Sequence, residues 1–292
     1  MKNITSRTKI IATLGPASLS KPVLKKMFQA GVDVCRLNFS HGDYQQHLNC
    51  IKIIRQINDE LNIHVAILAD LQGPKLRVGE VENNAVELKS GETIKIVTNE
   101  CIGNSERIYL NYERFPLDIA KGDNVLIDDG KIKLEVIESN QKDTVRLRII
   151  HGGVLSSRKG VNLPNTKISI PSMTEKDVED AHFALDHDVD WIALSFVRAA
   201  TDIVELKQMI KRKKKHTAVI AKIEKPEALN EIHNIIDVSD GVMVARGDLG
   251  VEVDYDRVPV IQKDIVCRCI DASKPVIIAT QMMESMMNNF RP

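Results

Sequence analysis

The chain has 292 residues, of which 43% are hydrophobic, enough for one large barrel domain or two ordinary domains with a substantial core. Lysine plus arginine number 40 and aspartate plus glutamate also number 40, so the formal net charge is zero. This balance argues against a protein that binds nucleic acid or a membrane surface. A bound anion must therefore be held by a local cluster of charges.

Hydropathy and cysteine usage predict a cytoplasmic protein. No apolar run approaches the roughly 20 residues that a membrane-spanning helix needs, and the apolar stretch near the N-terminus is too short for a signal peptide. The cysteines are scattered and odd in number, and we interpret them as reduced packing residues. They are Cys35, Cys50, Cys101, Cys267 and Cys269.

Short apolar runs alternate with helical stripes in residues 1–77. Strands are predicted at residues 10–14, 32–39 and 64–70. The last run has no polar alternation, as expected of a parallel strand buried on both faces. Apolar residues at helical spacing lie between the strands: Leu24, Met27 and Phe28, then Leu48, Ile51, Ile54 and Ile57.

The pattern changes to period-two alternation in residues 78–168. Turn sequences at residues 89–92 (Lys-Ser-Gly-Glu) and 128–130 (Asp-Asp-Gly) interrupt the alternation. These are hairpin signals, so the segment is predicted to be a small antiparallel β domain.

Strand and helix alternate again in residues 169–292. Thr174 and Asp177 have the spacing of a capping box at the start of a helix. The basic run at residues 211–215 is expected to cover a helix C-terminus in solvent. Later strands are predicted at residues 189–196, 217–223, 241–245 and 275–280.

The strand count leaves two interpretations of the fold. About seven strands belong to the strand–helix pattern, whereas a closed (β/α)₈ barrel has eight. One interpretation is a shorter open sheet. The other is a TIM-type α/β barrel truncated before its last strand, with the antiparallel β domain inserted after its third strand. The domains are then residues 1–77 and 169–292 for the barrel and 78–168 for the insertion.

Charged or hydroxyl side chains follow nearly every predicted strand. In a barrel of this type the chemistry lies at the C-terminal ends of the strands. A merely structural sheet would not need such residues there. The segments are residues 13–16, 36–41, 70–77, 195–198, 222–224, 245–248 and 280–281.

Lys222 and Glu224 lie two residues apart at a strand end and share one face. They form either a structural ion pair or part of a metal-bound anion site. In the second case Glu224 and Asp248 supply two oxygen ligands for Mg²⁺, and Lys222 neutralises a phosphoryl group or an enolate. Arg36 and Arg77 add guanidinium groups that suit phosphate.

The motifs at the strand ends, taken together and in this order, resemble those of pyruvate kinase. They are RLNFSH (36–41), QGPKLR (72–77), KGVNLP (159–164), KIE (222–224), MVARGDLG (243–250) and ATQMMESM (279–286). The resemblance implies a barrel with a mobile β lid, a separate C-terminal domain that this chain lacks, and a homo-oligomer, usually a tetramer. It also implies phosphoryl transfer from phosphoenolpyruvate to ADP, giving pyruvate and ATP.

The resemblance implies catalytic roles for two residues. Lys222 would stabilise charge on the phosphoryl group and the enolate, and Thr280 would relay a proton to the enolate. Glu224 and Asp248 would hold Mg²⁺ or Mn²⁺. The residues at the phosphoenolpyruvate site would be Arg36, Lys222, Gly247, Asp248 and Thr280.

The resemblance also implies a nucleotide site at the lid. Asn38, His41, Arg77 and Lys159 would contact the nucleotide. Asp128 and Asp129, on the lid hairpin turn, either reach a second, nucleotide-bound metal or serve only the turn, and both interpretations remain open.

A monovalent-cation site is implied as well. Its ligands would be Asn38, Ser40, Asp70 and the backbone carbonyl of Leu71. Family members that need K⁺ carry Glu at the position of Lys75, so Lys75 changes the local charge by two units. We expect the ammonium to supply the charge that K⁺ brings, so that added K⁺ is not required. The alternative is that Lys75 points into solvent beside the lid.

Two other functions remain open at this stage. A Mg²⁺-dependent aldolase or lyase could chelate an enolate with Glu224 and Asp248, but would need neither Lys159 nor Arg77 for a nucleotide. A truncated, catalytically weak relative could instead act as a binding or assembly subunit. We expect residues 1–292 alone to be weakly active, because an unclosed barrel leaves an unpaired strand edge.

Overall fold

The protein is described by a computed structural model, which covers residues 7–164, 166–280, 282, 286 and 288–290. The first group of elements is β1 (Ile11–Thr13), α1 (Lys21–Ala30), β2 (Val34–Asn38), α2 (Tyr44–Leu61) and β3 (Ala66–Asp70). The second group is β4 (Val86–Leu88), β5 (Thr93–Val97), β6 (Arg107–Tyr109), α3 (Phe115–Asp118), β7 (Asn124–Ile127), β8 (Ile132–Ser139), β9 (Thr144–His151), β10 (Gly153–Leu155) and β11 (Val161–Asn162). The third group is α4 (Glu175–Asp186), β12 (Trp191–Leu194), α5 (Ala200–Arg212), β13 (Ala218–Ile223), α6 (Pro226–Asn230), α7 (Ile232–Val238), β14 (Gly241–Ala245), α8 (Arg246–Glu252), α9 (Val258–Asp271) and β15 (Val276–Ala279). Short 3₁₀ helices lie at Glu82–Asn84 and Tyr255–Arg257.

Strands from the first and third groups form one parallel sheet of seven strands, in the order β1-β2-β3-β12-β13-β14-β15. Strand β3 pairs directly with β12, Ala193 opposite Asp70. The second group is therefore an insertion: the chain leaves the parallel sheet at the C-terminal end of β3 and comes back to it with α4 and β12. This arrangement confirms the predicted α/β barrel sheet with an insertion after its third strand.

The two faces of the parallel sheet bury different clusters. The helices pack against the outer face, where the largest apolar cluster contains Ile67, Ile192 and Val219. The neighbouring residues in each strand point to the inner face because side chains alternate along a strand. A small inner cluster results, formed by Leu68, Ala193, Ile220 and Met243.

The second group of elements has its own sheets and its own core. Six strands form a sheet in the order β11-β7-β8-β9-β5-β6, and β10 pairs with β4. All pairs are antiparallel except β5 with β6, which run parallel. The apolar cluster of this β domain runs from Leu76 to Ile168 and includes the fully buried Phe115. The predicted antiparallel insertion is confirmed, and the parallel β5–β6 pair is a detail that the hairpin pattern did not predict.

Local signals fix the helices that support the sheet. Thr174 and Asp177 form the predicted capping box at the start of α4, with each side chain bonded to the other's backbone N–H. Within the described ranges, no helix combines the length and the apolar character needed to cross a membrane.

Candidate active site

The inner face of the parallel sheet changes from apolar to polar at the C-terminal ends of the strands. Two residues after Leu68, Ala193 and Ile220 the chain has Asp70, Ser195 and Lys222. Strand periodicity therefore directs these three polar side chains to the same face as the apolar cluster below them. Thr13 and Arg36 follow inner-face residues of β1 and β2 in the same way.

Asp70 is a buried carboxylate held between two cations, its side chain only 1% exposed. Its Oδ2 lies 2.6 Å from Nη2 of Arg36, and its Oδ1 lies 3.1 Å from Nζ of Lys222. Arg36 also donates through Nη1 to Oγ1 of Thr13, at 2.8 Å. The predicted phosphoenolpyruvate residue Arg36 is thus fixed from both neighbouring strands.

Lys222 joins three elements at the centre of the site. Its Nζ lies 2.9 Å from Oε1 of Glu224 and donates to Oγ of Ser195 at 2.6 Å. Ser195 in turn donates to the Leu71 carbonyl at 2.7 Å. Burial lowers the pKa of Lys222, but the carboxylates of Asp70 and Glu224 outweigh burial and raise it. Lys222 is therefore a permanent, rigidly held positive charge.

Glu224 is the second buried carboxylate of the site. Its Oε2 accepts the backbone N–H of Phe196 at 2.8 Å, and Phe196 reaches this position with φ of 54°. Burial raises the pKa of Glu224, Lys222 opposes this change, and the nearby carboxylate of Asp248 raises the pKa further. Negative charge at this corner is incompletely neutralised, a condition that favours cation binding.

Helix α8 brings Gly247 and Asp248 to the same edge. The Gly247 N–H donates to Oγ1 of Thr280 at 3.1 Å. Thr280 has φ of 64°, which is unusual for a β-branched residue and points to a functional constraint. The sheet edge therefore gathers Arg36, Lys222, Gly247 and Thr280, four of the residues of the predicted phosphoenolpyruvate site.

Glu224 and Asp248 fit a divalent cation that takes its other ligands from substrate. In the described part of the chain, no three His, Cys, Asp or Glu side chains are grouped as a metal site. Two carboxylates are nevertheless the usual protein contribution to a Mg²⁺ site completed by phosphate oxygens and water. Glu224 uses one acceptor position on each oxygen, and a carboxylate has about four.

The predicted monovalent-cation ligands already have protein partners. Oδ1 of Asn38 accepts the Ser40 N–H at 3.1 Å, and Asp70 and the Leu71 carbonyl are engaged as described above. Lys75 Nζ lies 3.9 Å from Oδ1 of Asp248. Within the described residues, no hydrogen bond or ion pair joins Lys75 to Asn38, Ser40 or Asp70. Its ammonium therefore lies at the carboxylate of Asp248, on the divalent-cation side of the site.

The predicted nucleotide residues lie at the rim of the site. Lys159 Nζ pairs with Oδ1 of Asp128 at 2.8 Å, and Lys131 pairs with Oδ2 at 2.9 Å. Hydrogen bonds from these two lysines lower the pKa of Asp128. Arg77 donates to the Arg158 carbonyl at 3.1 Å, next to Lys159. A compact charged group thus surrounds the hairpin turn between β7 and β8.

The loop that follows Asn38 at the end of β2 carries Ser40 and the exposed His41, and α4 supports it from behind. Lys176 donates to the Phe39 carbonyl at 3.0 Å and pairs with the buried Asp180 at 2.5 Å. These supporting residues carry no motif and were not predicted. The same is true of the role of Ser195, although its position at a strand end was a usable signal. Residues 281 and 283–285 of the last motif lie outside the described residues.

The chain is also similar in sequence to known proteins. Residues 5–292 match the family model for the barrel domain of pyruvate kinase. The chain is 43% identical over 289 residues to the pyruvate kinase of Mycobacterium tuberculosis and 42% identical over 286 residues to that of Staphylococcus aureus. It is 48% identical over 292 residues to pyruvate kinase 2 of Synechocystis sp..

The alignments cover 99%, 98% and 98% of this chain, but 61%, 49% and 49% of the respective relatives. The chain therefore spans 49% to 61% of the length of these curated relatives. The family model and the relatives nevertheless cover almost the whole chain, and the predicted resemblance is confirmed. The chain belongs to the pyruvate kinase family, in its barrel domain.

Proposed function

We propose that the protein transfers the phosphoryl group of phosphoenolpyruvate to ADP, giving pyruvate and ATP. The observation that carries this proposal is the position of Lys222, buried between Asp70, Glu224 and Ser195 at the edge where Gly247, Asp248 and Thr280 also lie. A fixed ammonium beside two carboxylates suits a reaction in which phosphate charge must be neutralised.

Lys222 and Arg36 act first as electrostatic partners of the substrate. The P–O bond to the enol oxygen breaks while a bond forms to a β-phosphate oxygen of ADP, and an enolate remains. Negative charge then develops on the bridging oxygen, and Lys222 is preorganised to stabilise it by its hydrogen bond to Ser195 and its ion pairs with Asp70 and Glu224. A divalent ion held by Glu224 and Asp248 would neutralise charge on the phosphoryl oxygens.

Thr280 is the proposed proton relay in the second half of the reaction. Its Oγ1 accepts the Gly247 N–H, so its own hydroxyl proton is available to another acceptor. A proton delivered through Thr280 to the methylene carbon of the enolate gives the methyl group of pyruvate.

The β domain, for which we propose the boundaries 78 and 168, acts as a lid. Asp128 on its hairpin turn pairs with Lys159 in the segment before β11, and Arg77 lies at the junction with the barrel. Together these residues suit a nucleoside diphosphate with its metal. Asn38 and His41 are the proposed contacts on the barrel side. Closure of the lid excludes water, which would otherwise accept the phosphoryl group.

We also propose that K⁺ is not required, because Lys75 supplies a fixed positive charge beside Asp248. We propose three further features of the protein. They are a cytoplasmic location, a homo-oligomeric assembly and the absence of nucleic-acid or membrane partners.

The reaction can be followed by ³¹P nuclear magnetic resonance with phosphoenolpyruvate, ADP and Mg²⁺. We expect ATP signals to grow as phosphoenolpyruvate is consumed, and no consumption when ADP is omitted. Consumption without ADP, with release of pyruvate or of a cleavage product, would favour a lyase or phosphatase instead. Unchanged substrates together with retained ADP binding would favour a binding subunit.

A further inference from the structure

A buried hydrogen-bonded group outside the catalytic edge connects the β domain to the barrel. It consists of Asn162 in β11, Lys225 between β13 and α6, and Glu252 at the end of α8. Lys225 and Glu252 have side chains only 5% and 1% exposed. Oε1 of Glu252 lies 2.8 Å from Nζ of Lys225 and accepts the side-chain amide of Asn162, also at 2.8 Å.

The two oxygens of Glu252 are used unequally. Oε1 takes both donors, whereas Oε2 is buried and has no protein hydrogen-bond partner within the described residues. Glu252 lines a cavity of about 20 Å³ together with Asn162, Lys225 and Asp248. The Asn162 amide can therefore move to the second oxygen while the Lys225 pair stays intact.

This acceptor lies where the β domain meets the site. Asn162 is at the end of the β domain, and Glu252 lies one helical turn after Asp248 on the same side of α8. The hairpin turn of the β domain also approaches this helix, since a Cβ on Gly130 would lie 3.9 Å from Cγ1 of Val251. Helix α8 thus contacts the β domain through Glu252 and contacts Thr280 through Gly247.

The cost of this arrangement argues for a positioning role. Burying an ion pair is seldom better for stability than burying apolar side chains of the same volume, so such a pair is better explained by the geometry that it imposes. When the β domain rotates slightly, a carboxylate can keep its hydrogen bond to a donor by passing the donor from one oxygen to the other. An apolar contact has no such second acceptor.

We propose that Asn162, Glu252 and Lys225 form the pivot on which the β domain turns over the sheet edge, with Glu252 as the positioning residue. This pivot concerns the position of the β domain and does not depend on which reaction the site carries.

Two native cysteines allow the pivot to be tested without measuring turnover. Cys101 belongs to the β domain and is half-buried, Cys267 on α9 is exposed, and Cys35, Cys50 and Cys269 are buried. Nitroxide labels on Cys101 and Cys267 report the distance between the β domain and the barrel by double electron–electron resonance. Circular dichroism and labelling stoichiometry establish that each variant is folded and doubly labelled.

We expect a narrow distance distribution for the parent protein and a distribution at least twice as wide for Asn162→Ala. The matched control is Asn49→Ala, which removes an exposed amide bonded to Gln45 on α2 and should leave the distribution unchanged. Asn162→Asp should also widen it, because two carboxylates then face each other. Adding Glu252→Gln to Asn162→Asp exchanges the amide and the carboxylate and should restore the narrow distribution.

An unchanged distribution in Asn162→Ala would overturn the proposal. A widening in Asn162→Asp that Glu252→Gln does not reverse would overturn it too, because Asn162 would then act through a different partner. Asn162→Ala introduces no buried charge, so it tests the pivot even if Asn162→Asp does not fold.

Discussion

The ammonium of Lys222 lies 2.9 Å from Oε1 of Glu224. The two residues lie at the end of β13 and are separated only by Ile223. Their side chains share a face because of strand periodicity. Both are buried, and Glu224 raises the pKa of Lys222 whereas Lys222 lowers the pKa of Glu224, so each favours the charged form of the other. The ion pair is present in the structure, and it holds Lys222 at the place where the proposed reaction needs a positive charge.

Replacing Lys222 by Met is expected to lower kcat by about 100- to 1,000-fold, the usual effect of losing one preorganised electrostatic donor. The loss falls on kcat because the charge of Lys222 matters most as negative charge develops. Steady-state kinetics measure this effect, and Mn²⁺ binding followed by electron paramagnetic resonance should change little. Lys207→Met, which breaks a partly exposed pair with Asp240, is the control. A near-normal kcat with a raised KM would contradict the role of Lys222.

The parent enzyme is expected to be active without K⁺, and Lys75→Glu is expected to make it K⁺-dependent. Nζ of Lys75 lies 3.9 Å from Oδ1 of Asp248. The substitution therefore replaces a cation by an anion beside the carboxylates of the site and the phosphates of the proposed substrates. The measurement is activity in tetramethylammonium buffer free of Na⁺ and K⁺, at constant Mg²⁺ and ionic strength. K⁺ should raise the activity of Lys75→Glu at least tenfold. A tenfold activation of the parent by K⁺ would refute the charge argument.

The buried Cys35 is expected to resist alkylation and to make stability sensitive to alkaline pH. Burial, followed by the nearby Cys50, raises the pKa of the Cys35 thiol from 9.0 to about 12. The folded state therefore binds this proton more tightly than the unfolded state does. The stabilising contribution is complete below pH 9 and is lost as the pH rises from about 9 to 12.

Pulsed iodoacetamide labelling at pH 8, read by mass spectrometry, tests the expectation for Cys35. The exposed Cys267 should react within the pulse, and Cys35 only after unfolding. Denaturant titrations between pH 8 and pH 11 should show stability falling, and falling less in Cys35→Ala. Equal labelling of Cys35 and Cys267 in the folded protein would contradict the burial on which this expectation rests.

The sequence predicted the parts of the fold and the site that depend on local order. Parallel pairing of β3 with β12 and the polar ends of the strands follow from apolar runs and strand periodicity. The partner of Lys75 did not follow, because Asp248 is 173 positions further along the chain and reaches Lys75 only through the folded sheet. Asn162 and Glu252 are separated by 90 positions, and the KGVNLP motif that contains Asn162 does not indicate Glu252 as its partner. Side-chain contacts between distant elements were thus the part that local patterns did not specify.

The last prediction concerns Gly73, at the point where the chain leaves the sheet for the β domain. Gly73 has φ of +67°, and its N–H donates to the buried carboxylate of Asp177 at 2.9 Å. A Cβ at this position would lie 2.8 Å from Cδ2 of Phe196 and 2.9 Å from Cβ of Ser195. Ser195 contacts Lys222 and Phe196 contacts Glu224, so any shift of these two residues moves the charged centre of the site.

Gly122→Ala is the matched control for Gly73→Ala, because Gly122 also has positive φ, +90°, but a Cβ there would meet nothing within 4 Å. Each substitution pays the cost of left-handed backbone, about 1–2 kcal/mol. Gly73→Ala adds overpacking of about 1–3 kcal/mol. Denaturant unfolding should therefore show the larger loss of stability for Gly73→Ala, and kcat should fall in Gly73→Ala alone. Equal losses of stability, with kcat unchanged in both variants, would mean that the loop absorbs the added methyl group without moving Phe196 or Ser195.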